Sequence, residues 1–525
     1  MKKDLFKVRL LSLAALFGFM LAFASCANED ITQNTTGTDA DNDKTLTTFS
    51  AGAPETRTSL DYATGNFYWE AGDRIYVKDD DGSWQVSSNA PSAKVAAFKF
   101  KVPGKFDAQT SYKVYYPGKN SYQDRVKISA AQKQETPNTT THFGVSGDCG
   151  TATATKVTGK KQFEFKLDHQ ASYLVFQPYT SNAILKNCYL TKIEVNSDND
   201  IAGNYTLDPN TGELTGTTYD KQIVLWASDK YDSSKKGFTL TNTAASLATN
   251  GAYMVIKPGT HALKIRYWIK DYATNVEGTI TKILSAFNYA KNTYYDMTAL
   301  LDVRDYDGDH YYQWDAQDQY WKGYEWNQGG DQPTLNEDAP GATTSENYPK
   351  WPSGGSRLAH YGTSQATQSC ANVPNANEIS WYLQKGDHHI DKDELWTTMG
   401  HLYKGGMWLL KRSKISGFRN DLDAFGYDRR ANGTAQGVPS GYVNLTPLEP
   451  ATAGNYFFLP FLGYYDGGKL RYVGEVGFYW TANANMIVSG NACCLYFSAS
   501  HIVMSNSSVR SGGFRAQPFS YFGDN

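Results

Sequence analysis

Residues 456–482 read YFFLPFLGYYDGGKLRYVGEVGFYWTA, and the chain continues CCLYF at 493–497 and SVRSGGFRAQPF at 508–519. Short aromatic and apolar runs alternate with Gly-rich turns, the pattern of a compact, loop-heavy sheet region. Trp408 and Trp480 sit inside apolar runs and are expected in a core.

Upstream of this stretch, two helices are expected. Asn375 and Glu378 have capping-box spacing, with Ile379, Tyr382 and Leu383 on one face and Gly386 as the stop. Asp391 and Glu394 repeat the device, with Leu395, Met399 and Leu402 inward and Gly405 as the end. Residues 407–410 then read as a buried strand, and 416–455 as a connection roughly three times the ordinary length. An aromatic block from Tyr311 to Trp326 opens this last region, followed by a Gly-, Pro- and Asn-rich stretch through Gly355.

From about 49 to 301 the pattern is all β. Phe98, Phe100 and Val102 alternate, as do Phe163, Phe165 and Leu167, and Leu263, Ile265, Tyr267 and Ile269 alternate with Lys264, Arg266 and Lys270. Asn210-Thr211-Gly212 and Pro258-Gly259 supply turns. Many short strands with regular turn signals predict sandwiches, and the length predicts two, divided near 151–161.

Residues 28–48 are rich in Thr, Asn and Asp and hold too little apolar surface to fold, so they read as a tether. Before them, Lys2, Lys3, Lys7 and Arg9 precede an apolar run too short for a comfortable bilayer span, which is a targeting segment. It ends in Phe23-Ala24-Ser25-Cys26, which resembles a bacterial lipobox and implies cleavage before Cys26 and its acylation. Several acyl chains, at about 0.8 kcal/mol per buried CH₂, anchor a protein stably. The following Ala27-Asn28-Glu29-Asp30 resembles the surface-export signal of lipoproteins in the Bacteroides group, which implies the outer face of the outer membrane.

Composition narrows the function. The 525 residues carry a formal net charge of -3, and the pI is near 6.3, without the basic excess of a nucleic-acid binder. Aromatics make up 14% against 20% charged residues, which suits Tyr-rich β domains with amphipathic surfaces. Beyond Cys26 the cysteines are Cys149, Cys188, Cys370, Cys493 and Cys494, an odd set without disulfide or zinc spacing. Adjacent Cys493 and Cys494 read as one buried and one outward thiol on a strand, with a vicinal disulfide as the alternative.

No catalytic motif is found, no cofactor is expected, and the chain reads as a non-enzyme. Gly463-x-x-x-x-Gly468-Lys469 approaches a phosphate loop, but Leu470 stands where Ser or Thr should hold magnesium, and a strand follows where a helix is needed. Asp305-x-Asp307-x-Asp309 starts like a calcium loop, yet its twelfth position is Ala316. Asp421, Asp423 and Asp428 lie in the long connection, and both groups read as solvated turn carboxylates, so no metal is expected. Trp321, Trp326 and Trp351, flanked by polar, Gly or Pro sequence, are the candidate ligand contacts.

Two resemblances organise these readings. Leu459-Pro460, Gly463-Tyr464, Gly477-Phe478-Tyr479-Trp480, Val509-Arg510 and Gly513-Phe514-Arg515 resemble the Fibrobacter succinogenes major paralogous domain. That implies an α+β fold of the C-type-lectin type, related to formylglycine-generating enzymes; those act through cysteines near the domain end, whereas here Cys493 and Cys494 precede the closing motif. Thr56-Arg57-Thr58, Trp69 with Gly72-Asp73 and Ile75, Tyr115-Tyr116-Pro117, Phe165-x-Leu167-x-His169, Pro258-Gly259 and Tyr294-Tyr295-Asp296-Met297 resemble the fimbrillin (Mfa-like) family. That implies two transthyretin-like β-sandwiches in series. The expected organisation is a signal peptide (1–25), a tether (26–48), two sandwiches (49–155 and 156–301) and a C-type-lectin-like domain (302–525), mainly β throughout. The expected function is a surface-anchored adhesin, a minor or tip pilus subunit whose last domain contacts a glycan or protein. The alternative is a non-pilus surface lipoprotein that captures glycan nutrients. The fimbrillin resemblance also implies an Arg-specific cut after Arg57, the sole Arg between Cys26 and Trp69, leaving a groove for another pilin's donor strand; the alternative is a surface Arg on a strand that stays in place, as in anchored relatives.

Overall fold

The computed structural model describes residues 46–52, 59–61, 66–229, 231–336, 345–349, 355–432, 435–439, 441–449 and 451–525. The signal peptide, Cys26, Arg57 and Trp351 lie outside the described residues. The chain is mainly β, in several sheets with few short helices.

The first sheet runs Trp84–Val86, Tyr76–Lys78, Ser111–Tyr116, Gly150–Lys156, Gln162–Phe165, Leu46–Ala51, Phe98–Pro103. Its inward positions follow the two-residue period: Phe49, Phe100, Val102, Phe163 and Phe165 are all buried. Trp69 closes this core with its ring edge-on to Phe100 at 4.9 Å and Tyr116 at 5.6 Å.

Between Tyr116 and Gly150 the chain leaves this sheet. Arg125–Ile128 pairs with Ala202–Leu207, and Ala131–Lys133 runs parallel to Gln222–Trp226, before Gly150–Lys156 returns. Gln162–Phe165, past residue 155, is also part of the first sheet. The N-terminal and central regions are therefore interlaced through shared strand pairing.

In the central region, Ser172–Tyr179 lies between Ala252–Ile256 and Thr293–Leu300. A facing sheet is built on Tyr189–Ser197, Gly259–Lys270 and Glu277–Tyr289. Leu263, Ile265, Tyr267 and Ile269 point into the shared core, while Arg266 on the other face bonds Glu194 at 2.7 Å.

The C-terminal region has two sheets. One orders Arg304–Tyr306, His389–Thr398, His401–Leu410, Tyr456–Pro460; the other orders Tyr311–Tyr312, Phe514–Arg515, Val476–Ala484, Asn491–Ser498, Ile502–Val509, Gln436–Val438. The expected first helix is present as Ala376–Lys385, with both halves of its capping box formed by Asn375 and Glu378.

The second expected helix is a β-hairpin. His389–Thr398 and His401–Leu410 pair antiparallel through the two-residue turn Met399-Gly400, whose φ values of 45° and 84° suit a primed hairpin turn. Asp391 forms no helix cap; its Oδ1 accepts from the N–H groups of Asp393 and Glu394 at a bulge. Residues from Leu395 to Thr398 are buried on both strand faces, which removes the alternation that marks a strand in sequence. One face belongs to the C-terminal core through Trp396, and the other delivers Leu395 and Leu402 into the central core. Leu402 also donates to Asp271 at 3.0 Å and accepts from Thr274 Oγ1 at 3.0 Å, so this hairpin fixes the two regions together.

Candidate functional site

The first described strand, Leu46–Ala51, has a partner on each edge. It runs parallel to Gln162–Phe165, with Phe49 opposite Phe163, and antiparallel to Phe98–Pro103, with Phe49 opposite Phe100. Phe49 is fully buried, stacked on Phe163 at 5.1 Å and edge-on to Phe106 at 5.1 Å. Without this strand, two facing rows of backbone donors and acceptors and one aromatic socket would stand open. Arg57 follows the strand in sequence, between Gly52 and Ser59, and lies outside the described residues.

Of the candidate contact residues, Trp321 and Trp326 are described, and both pack against the C-terminal core. Trp321 is only 1% exposed, and its ring meets Tyr465 at 6.3 Å within a cluster where Tyr320 stacks on Tyr465 at 5.5 Å. Its polar, Gly-containing flanks suggest a loop, but that loop folds back through Tyr320 N–H donating to the Tyr311 carbonyl, which places the ring inside. Trp326 is half-buried against the same core. Trp321 therefore has no surface to give a ligand, a correction to its expected role.

Three exposed aromatics lie in the long connection. Phe425, Tyr427 and Tyr442 are 59%, 60% and 77% exposed, and Met486, Ile487 and Val488 form a second apolar point at a hairpin tip. The long connection is fastened by the carboxylates that sequence assigns to solvated turns. Asp423 is buried: it accepts from the N–H groups of Phe425 and Tyr427, both at 2.8 Å, and pairs with Arg429 Nε at 2.6 Å. Burial alone would raise its carboxyl, but these donors outweigh burial and hold it below the usual range. Asp428 pairs with Arg430 at 2.8 Å and accepts from Asn377 on the helix, and Asp421, paired with Arg419, is held at about 2. Arg419, Arg429 and Arg430 were the signal that these aspartates have partners.

The remaining motifs resolve into structure. Gly467 and Gly468, with φ of 56° and 83°, turn the hairpin between Tyr464–Asp466 and Lys469–Arg471, so the phosphate-loop spacing is a β-turn. Asp305 accepts from Thr397 while Asp307 faces Arg515, His310 and Gln517, so the three aspartates do not converge. Among the described residues no group of three or more His, Cys, Asp or Glu is placed to hold a metal. The five described cysteines are free and buried; Cys493 and Cys494 are both inside, where burial pushes their thiols up to about 11 and about 12. Both thiols sit inside because Asn491–Ser498 is covered on both faces, contrary to the expected outward thiol.

The class that this geometry defines is a mainly β chain of interlaced sheet regions, with an inserted first strand and a loop-rich C-terminal region. No family model matches the chain, and no curated protein matches it. Among solved structures, a candidate cell adhesion protein from Bacteroides ovatus matches 49% of this chain and 93% of its own, at 12% identity and a TM-score of 0.30. The fimbrial anchor protein Mfa2 from Porphyromonas gingivalis matches 49% of this chain and 90% of its own, at 13% identity and a TM-score of 0.25. A fimbrial protein from Bacteroides ovatus matches 89% of this chain and 100% of its own, at 10% identity and a TM-score of 0.23. At these identities and scores the likenesses carry no inference about what this chain does.

Proposed function

We propose that the chain is a surface adhesin of fimbrillin type, carried to the outer membrane by acylation at Cys26 and freed from that anchor on maturation, whose role is contact rather than catalysis. The observation that carries this reading is the placement of Leu46–Ala51, inserted between two strands and directly ahead of the segment that holds Arg57. A cut after Arg57 frees this strand and opens a slot that a strand from another pilin can fill, satisfying backbone groups on both sides. Every strand among the described residues is already paired within a sheet, so none is spare for donation. A subunit that accepts a strand while its described strands all stay paired closes a polymer, which is the tip position. There the fastened loop with Phe425 and Tyr427 stands as a contact surface toward a glycan or a protein.

N-terminal sequencing of the mature protein from its native surface tests this. Thr58 as first residue, with polymer incorporation lost in Arg57→Ala, supports the tip subunit. An acylated Cys26 on every molecule overturns it in favour of an anchored lipoprotein outside any pilus, the form in which Leu46–Ala51 stays in place.

A further inference from the structure

The C-terminal region holds a recess of about 230 Å³ that no sequence motif marks. Drug-sized ligands fill about 300–1,000 Å³, so this recess takes a single ring-sized group. Trp408, Tyr456 and Phe458 give it an aromatic wall, with the Trp408 ring 4.8 Å from that of Phe458. Trp408 and Tyr456 are half-buried, and their polar ends are already engaged: Trp408 Nε1 donates to Asp391 at 3.2 Å and the Tyr456 hydroxyl to Asp387 at 2.6 Å. The wall is thus held in place.

Three charged groups reach the recess, and they differ in one respect. Arg304 is committed, donating to the Phe522 carbonyl at 3.2 Å and to that of Tyr521, with its guanidinium 4.8 Å from the Tyr306 ring. The Glu394 carboxyl and the Lys411 ammonium have no hydrogen-bond or ion-pair partner among the described residues. An unpartnered acceptor and an unpartnered donor beside an aromatic wall are complementary to a group with an apolar face and a rim of hydroxyls.

We infer that this recess binds one neutral pyranose ring of a glycan, stacked on Trp408 and hydrogen-bonded through its hydroxyls to Glu394 and Lys411. The inference rests on the adhesin reading and adds, beside the loop at Phe425 and Tyr427, a second contact of stated chemical class. Glu394 is exposed overall and lines the recess. Burial first, and Asp391 second, push its carboxyl up to about 7. At neutral pH it is shared between a carboxylic acid, which donates to a hydroxyl as well as accepting from one, and a carboxylate. A cationic or zwitterionic ligand would be held by the ionised form alone.

Saturation-transfer NMR on the full chain tests this, with methyl glycosides of glucose, galactose, mannose and N-acetylglucosamine, and with free lysine and glutamate as zwitterionic controls. At least one glycoside should show transfer, and Glu394→Ala and Lys411→Ala, both surface replacements, should each weaken its binding about tenfold. Trp408→Ala should abolish it. The inference is overturned if no glycoside binds, if lysine or glutamate binds in their place, or if binding survives unchanged in both surface variants. Adhesion of cells displaying the same variants separates the two levels: adhesion that persists while glycoside binding fails removes the recess and leaves the adhesin, and glycoside binding without adhesion does the reverse.

Discussion

Arg515 Nη2 lies 3.2 Å from Asp307 Oδ1, joining the closing strand of the C-terminal region to the turn that follows its opening strand. Arg515 is fully buried, donates also to the Asp307 carbonyl at 2.8 Å and to Gln517, and lies 4.9 Å from the Tyr311 ring. Arg510, nearly as buried, donates to the carbonyls of Asn491, His360 and Thr363 and stacks on Trp314 at 4.4 Å. The two arginines of SVRSGGFR are thus the internal fasteners of the region, each binding carbonyls of distant segments.

Replacing Arg515 by Met should destabilise the C-terminal region by about 3–5 kcal/mol, because Asp307 would keep its partial burial without its counter-charge. Asp307 also sets an acid limit. Burial alone would raise its carboxyl, but Arg515 and His310 outweigh burial and hold it well below the usual carboxylate range. A depressed folded pKa gives stability that is complete above the unfolded value of about 3.9 and is lost as pH falls below it toward the folded value. Chemical denaturation below about pH 4 should therefore show a shallower loss in Asp307→Asn than in the parent chain. Equal acid limbs in both would contradict the assignment.

Asp423→Ala should loosen the long connection from within. It removes the acceptor for the Phe425 and Tyr427 N–H groups and leaves Arg429 unpaired where its side chain is only 17% exposed. The cost should be about 3–5 kcal/mol if the region unfolds as one unit. Hydrogen exchange at residues 425 and 427 should accelerate well ahead of exchange in Val476–Ala484. Uniform acceleration across the region would mean that the connection carries the sheet rather than resting on it.

Legibility followed the number of buried faces. The alternation in Gly259–Lys270 was readable because one face is core and the other carries Lys264 and Arg266. The capping box of Asn375 and Glu378 was readable because its chemistry is local. The sequence from Asp391 reads as a helix because the two faces of His389–Thr398 serve two different cores, so its spacing holds no period of two. Trp321 stands as a candidate contact in sequence because polar flanking residues say nothing about which distant aromatic covers a loop. The recess at Glu394 and Lys411 draws on three separated segments, around 304, 394–411 and 456–458, and left no local mark.

Phe49→Ala separates a retained first strand from a replaceable one. In the chain that keeps Leu46–Ala51, the substitution empties the socket between Phe163 and Phe106 and should cost about 3–5 kcal/mol, read as a lower thermal midpoint of the N-terminal region. In a chain beginning at Thr58 the strand is absent and the position no longer exists, so the region should melt lower still. A synthetic peptide of residues 46–51 should then raise that midpoint in proportion to the logarithm of its concentration above its Kd, since it binds only the folded slot. The same peptide with Ala in place of Phe49 should need a far higher concentration, because register and depth in the slot are set by that one ring opposite Phe100 and Phe163. If the chain beginning at Thr58 melts with the parent and ignores the peptide, the slot closes on itself when emptied, and strand exchange at this edge is ruled out.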